Sequence, residues 1–141
     1  LIQYINSSIL VVNQYDDENF NRVLLPVDNF FGSMKAAKYA IRVALSYNVG
    51  IDILNVLDEN ESKVEDSSNV SKIIKLIRRS GVDHKYIRDK GDTVRKIIEK
   101  SDNDKIIVMR ASNMSPIKRY FKGSKPLSVM KSCNVPILIV K

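Results

Sequence analysis

A chain of 141 residues suits a single domain, one that buries roughly two thirds of the surface its unfolded form exposes. Its 44% hydrophobic and 28% charged residues are ordinary for a soluble globular protein, and no apolar run approaches the length of a membrane span or a signal peptide. The single cysteine, Cys133, excludes an intrachain disulfide and points to a reducing, cytoplasmic setting, while a formal net charge of +7 favours an anionic partner.

Residues 1–21 read as a short strand, Ile9-Leu10-Val11-Val12, and an acidic linker containing Asp16, Asp17 and Glu18. The stretch Ser8–Val12 is similar to the chain's own end, Pro136–Val140, and fits the last strand of a preceding copy of the same domain. With Leu rather than Met at position 1, the expectation is a piece of a longer protein, such as a transporter or a tandem protein.

From Arg22 strands and helices alternate. Val23-Leu24-Leu25-Pro26-Val27 is a continuous apolar run of the kind buried on both faces of a parallel sheet, and it ends at Asp28. Ser33–Asn48 carries a helical stripe of Ala36, Ala37, Ala40, Ile41 and Ala44 with Lys35, Lys38 and Arg42 opposite, and Val49-Gly50 is expected to stop it. Ile51–Leu57 is a second strand, Val70, Ile73, Ile74 and Ile77 mark a second helix ending at Ser80-Gly81, and Val82–Arg88 is a weaker third strand. That strand holds the only histidine, His84, which is read as an exposed edge residue. Gly91-Asp92 supplies a turn and helix cap before the stripe Val94, Ile97 and Ile98. Lys105–Met109 is the fourth strand, Gly123–Lys131 the last loop and helix, and Val135–Val140 the closing strand. Such alternation predicts an open, mostly parallel five-stranded α/β sheet with helices on both faces.

The segment Arg110–Lys131 holds Lys118, Arg119, Lys122 and Lys125 and no acidic residue. A strand, a basic loop and then Gly123-Ser124 at a helix start is the layout of an anion site, because a helix N-terminus offers unpaired N–H groups and glycine admits close approach. Pro126 removes one such donor. Cys133 reads as a small core residue, and Phe30-Phe31 read as packing beside the first strand's end.

Three blocks give this chain a family likeness. Val23–Asp28 with Ser33-x-Lys35-Ala36-x-x-Tyr39-Ala40, Gly91-Asp92 with Ile97-Ile98, and Ile106–Met109 with Gly123-Ser124 and Cys133-x-Val135–Val140 resemble, in order and spacing, the universal stress protein (UspA-like) domain. The resemblance covers residues 22–141, leaving 1–21 as a separate N-terminal strand and linker. It implies sheet order 3-2-1-4-5, homodimers meeting through the last strand (Val135–Val140), and an adenine nucleotide, ATP in many members, between the first and fourth strands. It places Pro26, Val27 and Asp28 beside the adenosine, Val56 against the adenine, and Met109 and Arg110 at the start of the phosphate loop. The family's loop glycines fall on Arg110, Asn113 and Gly123, followed by Ser124, with Lys125 as an added charge; only Gly123 and Ser124 match.

The expected function is a non-catalytic regulatory or sensor domain with a degenerate adenine-nucleotide site, acting through dimerisation and another anionic ligand. The alternatives are a domain that still binds ATP or AMP, and a cytoplasmic regulatory domain of a larger transporter or tandem stress protein. No nucleophile elbow, Cys/His metal spacing, Walker loop or dinucleotide fingerprint is present, so neither an enzyme nor a metal protein is expected. Specific nucleic-acid recognition is disfavoured too, for want of a recognition-helix or RNA-binding pattern.

Overall fold

The computed structural model describes residues 7–12, 20–27, 33–57, 59, 68–101, 105–110 and 135–140. Asp28, Phe30, Phe31, Asn113, Gly123, Ser124, Lys125, Pro126, Cys133 and the expected last helix lie outside the described residues. The elements are β1 (Ile9–Val11), β2 (Arg22–Val27), α1 (Ser33–Tyr47), β3 (Gly50–Leu57), α2 (Ser68–Arg79), β4 (His84–Lys90), α3 (Thr93–Lys100), β5 (Lys105–Arg110) and β6 (Ile137–Val140). They form one sheet ordered β1-β6-β5-β2-β3-β4. Strands β2 to β6 are mutually parallel and reproduce the expected 3-2-1-4-5 order; β1 is added antiparallel on the outer side of β6. No helix among the described residues is long and apolar enough to cross a membrane.

Strand β2 is unbroken in its hydrophobicity because both its faces are covered. Val23, Leu25 and Val27 face α1 and α2, in one core with Ala36, Ala37, Ala40, Ala44, Val70, Ile73 and Ile77. The alanine stripe lets α1 lie close against the strands. Leu24 faces the other way, in a second core with Leu54, Ile97 of α3, Ile107, Met109, Val135, Ile137 and Ile139. Each of the larger side chains contributes about 1.5–3 kcal/mol on burial, so the two cores are what hold the layers together.

Helix α1 ends differently from the sequence expectation. Asn48 takes φ 54°, its N–H donates to Leu45 O at 3.4 Å and that of Val49 donates to Ala44 O at 3.0 Å. This is the paired bonding of a left-handed helix cap, and Asn is the side chain that tolerates it best after glycine. Gly50 is therefore no helix stop but the first residue of β3. A Cβ there would stand 2.5 Å from Arg22 Nη1 and 2.8 Å from Asp83 Oδ2, so a side chain at this position would displace the Arg22–Asp83 pair, and the constraint is on space rather than on φ. At the start of α3 the expected cap is present: Asp92 Oδ1 accepts from Arg95 N–H at 2.8 Å.

The crowding around Gly50 belongs to an ionic cluster at the N-terminal ends of the strands. Asp52, only 4% exposed, accepts from Arg22 Nε at 2.6 Å and pairs with Lys105 Nζ at 3.3 Å. Lys105 Nζ also donates to Lys100 O at 2.9 Å, and Arg22 reaches Asp83 at 3.0 Å. Burial pulls the Arg22 guanidinium down, but its bonds to Asp83 and Asp52 outweigh this and hold it above its ordinary value. At the other end of β4, the backbone N–H of Lys90 and the charges of Lys96 and Lys100 hold the Asp89 carboxyl below the usual range.

Two outcomes follow from these contacts. Asp52→Ala leaves two cations facing each other and is expected to destabilise the protein by about 3 kcal/mol in urea titrations; a loss within error of zero would remove the cluster's structural role. Because the Asp89 carboxyl is lowered on folding, its contribution is present above the ordinary aspartate range and fades as pH falls through the lowered value. Wild type should accordingly exceed Asp89→Asn in urea midpoint at neutral pH, and the two midpoints should converge on acidification.

Candidate functional site at the strand switch point

The chain leaves β2 in one direction toward β3 and returns on its other side as β5, so the β2–β5 boundary is the sheet's switch point. Open α/β sheets take ligands at the carboxyl ends of the strands flanking such a point. Here the two strands part company. Strand β2 pairs with β3 along its whole length, through Val27↔Asn55, but with β5 only over Arg22↔Lys105, Val23↔Ile106 and Leu24↔Ile107. Beyond Leu24 the ladder stops, leaving Leu25–Val27 and Val108–Arg110 unpaired with each other. Pro26 offers a physical reason, since it has no N–H to give a neighbouring strand.

The described members of the predicted site flank this opening on both faces. Met109 is buried in the second core, where half-buried Val56 packs, and strand alternation puts Pro26 on that side with Leu24. Val27 is buried in the first core. Arg110, half-buried, is the last residue of β5 and pairs with Val140 of β6. The family loop's first glycine position is thus held within a strand and carries a long cationic side chain. Met109, Val56 and Pro26 are brought to one face, whereas Arg110 and Val27 lie on the other.

Asn55 was missed from the sequence. It is 1% exposed, sits beside Val27 near the end of β3 and donates through Nδ2 to Tyr86 Oη at 3.2 Å. Its Oδ1 is buried with no hydrogen-bond partner among the described residues. One of two polar residues in the otherwise apolar run Ile51–Val56 was the available signal; Asp52, the other, belongs to the ionic cluster. His84 lies on the edge strand with Nδ1 3.1 Å from Val82 O, half-buried rather than exposed. Among the described residues no group of three or more His, Cys, Asp or Glu side chains is placed to hold a metal ion.

Fold and pairing together define an open, mostly parallel α/β domain whose β2–β5 ladder ends short of the strands' carboxyl ends at the switch point. The universal stress protein family model matches residues 19–141, and the chain belongs to that family. It is 24% identical over 156 residues to universal stress protein MJ0531 of Methanocaldococcus jannaschii, covering 98% of this chain and 90% of that one. A universal stress protein from Archaeoglobus fulgidus superposes with a TM-score of 0.68 at 18% identity over 95% of this chain, which spans 49% of that longer one. A universal stress protein in complex with cAMP superposes with a TM-score of 0.62 at 16% identity, over 88% of this chain and 99% of that one. At such identities the structural matches speak to the fold.

An acceptor buried without a partner costs stability, and an apolar residue of similar volume carries no such cost. Asn55→Leu is therefore expected to hold or raise the urea midpoint of the nucleotide-free protein; a fall of more than about 1 kcal/mol would mean that the Asn55 amide is satisfied after all.

Proposed function

We propose that this chain is a non-catalytic regulatory or sensor domain of the universal stress type whose adenine-nucleotide site is altered at the phosphate end. In this reading it acts in the cytoplasm, through dimerisation along the last strand and through an anionic ligand other than ATP. The observation that carries the reading is Arg110: half-buried, paired in β5 and standing where the resemblance expects a loop glycine. Glycine at such a point leaves volume for a phosphate and freedom for the backbone to turn its N–H groups inward. An arginine fixed in a strand ladder does neither. The adenine end is better kept, since Pro26, Val56 and Met109 supply an apolar wall on one face of the crevice.

A second reading, that ATP or AMP still binds with Arg110 and Lys125 replacing backbone donors by side-chain charge, is favoured by the related protein's complex with cAMP, a nucleotide with a single phosphate. Either reading is compatible with a place inside a larger transporter or tandem stress protein.

Titration calorimetry with ATP, AMP and cAMP separates them. The altered-site reading expects an ATP dissociation constant weaker than about 0.1 mM, and a gain of at least tenfold, about 1.4 kcal/mol, in Arg110→Gly. Micromolar ATP binding by the wild type would overturn it. Tight AMP or cAMP binding lost in Arg110→Gly would establish the second reading.

A further inference from the structure

Strand β1 is the one element that the α/β plan does not require, and its pairing has an internal symmetry. It lies antiparallel to β6 in the register Ile9↔Ile139, Leu10↔Leu138 and Val11↔Ile137. Its sequence, Ile9-Leu10-Val11-Val12, reads in the same direction as Ile137-Leu138-Ile139-Val140. Matching the two strands residue by residue puts Leu10 in the place of Leu138, and these are the residues that face each other at the centre of the ladder. Two copies of β6 related by a two-fold axis through Leu138 would pair in the same register. The edge that accepts β1 is therefore, by shape and sequence, an edge that accepts another β6.

We infer that β1 is an intramolecular stand-in for the last strand of a second copy, and that its exchange for that strand controls dimerisation. The inference deepens the dimerisation part of the proposed function and rests on it. Closure within one chain is geometrically easy. β1 runs antiparallel to β6, so Val11 finishes at the end of the sheet where β2 begins. Three strand spacings, about 14 Å, separate β1 from β2, and the ten residues 12–21 reach up to about 33 Å. A tether of that length sets an effective concentration in the millimolar range, which a partner chain at micromolar concentration does not match without further contacts.

A second copy would bring contacts that β1 lacks among the described residues. Leu10 is 55% exposed and Val12 is 58% exposed, whereas Leu138, across from Leu10, packs against the core beneath α1. Among the described residues no helix layer accompanies β1 to continue that core outward. A complete domain pairing through β6 would arrive with its helices beside the strand and extend the covered face. The tethered strand wins on proximity and the second copy on buried area, the arrangement of an exchange that shifts with protein concentration or with anything that holds residues 1–12.

Disulfide trapping in the 141-residue chain, with Cys133→Ala throughout, tests this. Leu10→Cys combined with Leu138→Cys should oxidise within one chain, giving a monomer by light scattering; cross-linking only between chains, or none, would overturn the intramolecular pairing and leave the dimerisation reading standing. Leu10→Pro, which removes a ladder donor, combined with Leu138→Cys should double the measured mass and give an interchain disulfide at position 138. A folded monomer there, with no cross-link, would overturn the exchange and the last-strand dimer together. Leu10→Gly weakens the strand without removing its N–H, and serves in place of Leu10→Pro if circular dichroism finds the latter unfolded.

Discussion

The buried carboxylate of Asp52 is the contact on which the arrangement of the central strands depends. It is held by one cation from β2 and another from β5, so a single side chain ties the three middle strands together at their N-terminal ends. Apolar packing alone would tolerate a two-residue slip of one strand, which returns the same kind of side chain to each face. Such a slip here would strand a carboxylate or an ammonium away from its partner in the interior, and the cost of an unpaired buried charge is several kcal/mol. Gly50 belongs to the same constraint, because a side chain at that position would push the Arg22 guanidinium off Asp83.

With register pinned at one end, the strands are free to diverge at the other. The β2–β5 ladder is intact beside the ionic cluster and is over by Leu24, while β2 stays paired with β3 to its own last residue, Val27. An opening between β2 and β5 is thus a consequence of local chemistry: charge pairing below, a proline without a donor above. Pro26, Val56, Met109, Asn55 and Arg110, the described residues beside the proposed site, stand together because the strands that carry them end at this edge. The ionic cluster and the proposed site occupy opposite ends of the same three strands.

The layer plan was legible in the sequence because it rests on period. Runs such as Val23–Val27 and the alanine stripe of α1 declare their faces without any tertiary information. Asn48 and Gly50 show where that reasoning stops. Both lie in the helix-to-strand turn, and glycine is the commoner helix terminator, so the local rule chose the wrong residue; the space filled by Arg22 from a strand 28 positions earlier is invisible to it. Asn55 and Asp52 are alike in the sequence, two polar residues in one apolar strand, yet one is neutralised by two cations and the other keeps an acceptor with no partner among the described residues. Only the register of the neighbouring strands distinguishes them. Arg110 was legible as a departure from the family's loop, though not that its backbone would remain in the ladder with Val140.

The two edges of the sheet set different problems. On β4, exposed Lys85, Arg88 and Lys90 alternate with half-buried residues, so a second sheet would have to bury charge to pair there. β6 has no such protection: Ile137, Leu138, Ile139 and Val140 are all apolar, and three of the four are buried. A strand of that composition needs cover, and the chain supplies it from a segment whose sequence nearly repeats it. Cover by a near-copy is a weaker lock than cover by charge or by a bulge, because whatever fits the copy also fits the original. On the proposed exchange, an edge closed in this way protects the monomer against indiscriminate pairing and would still admit one specific partner, the edge of an identical domain.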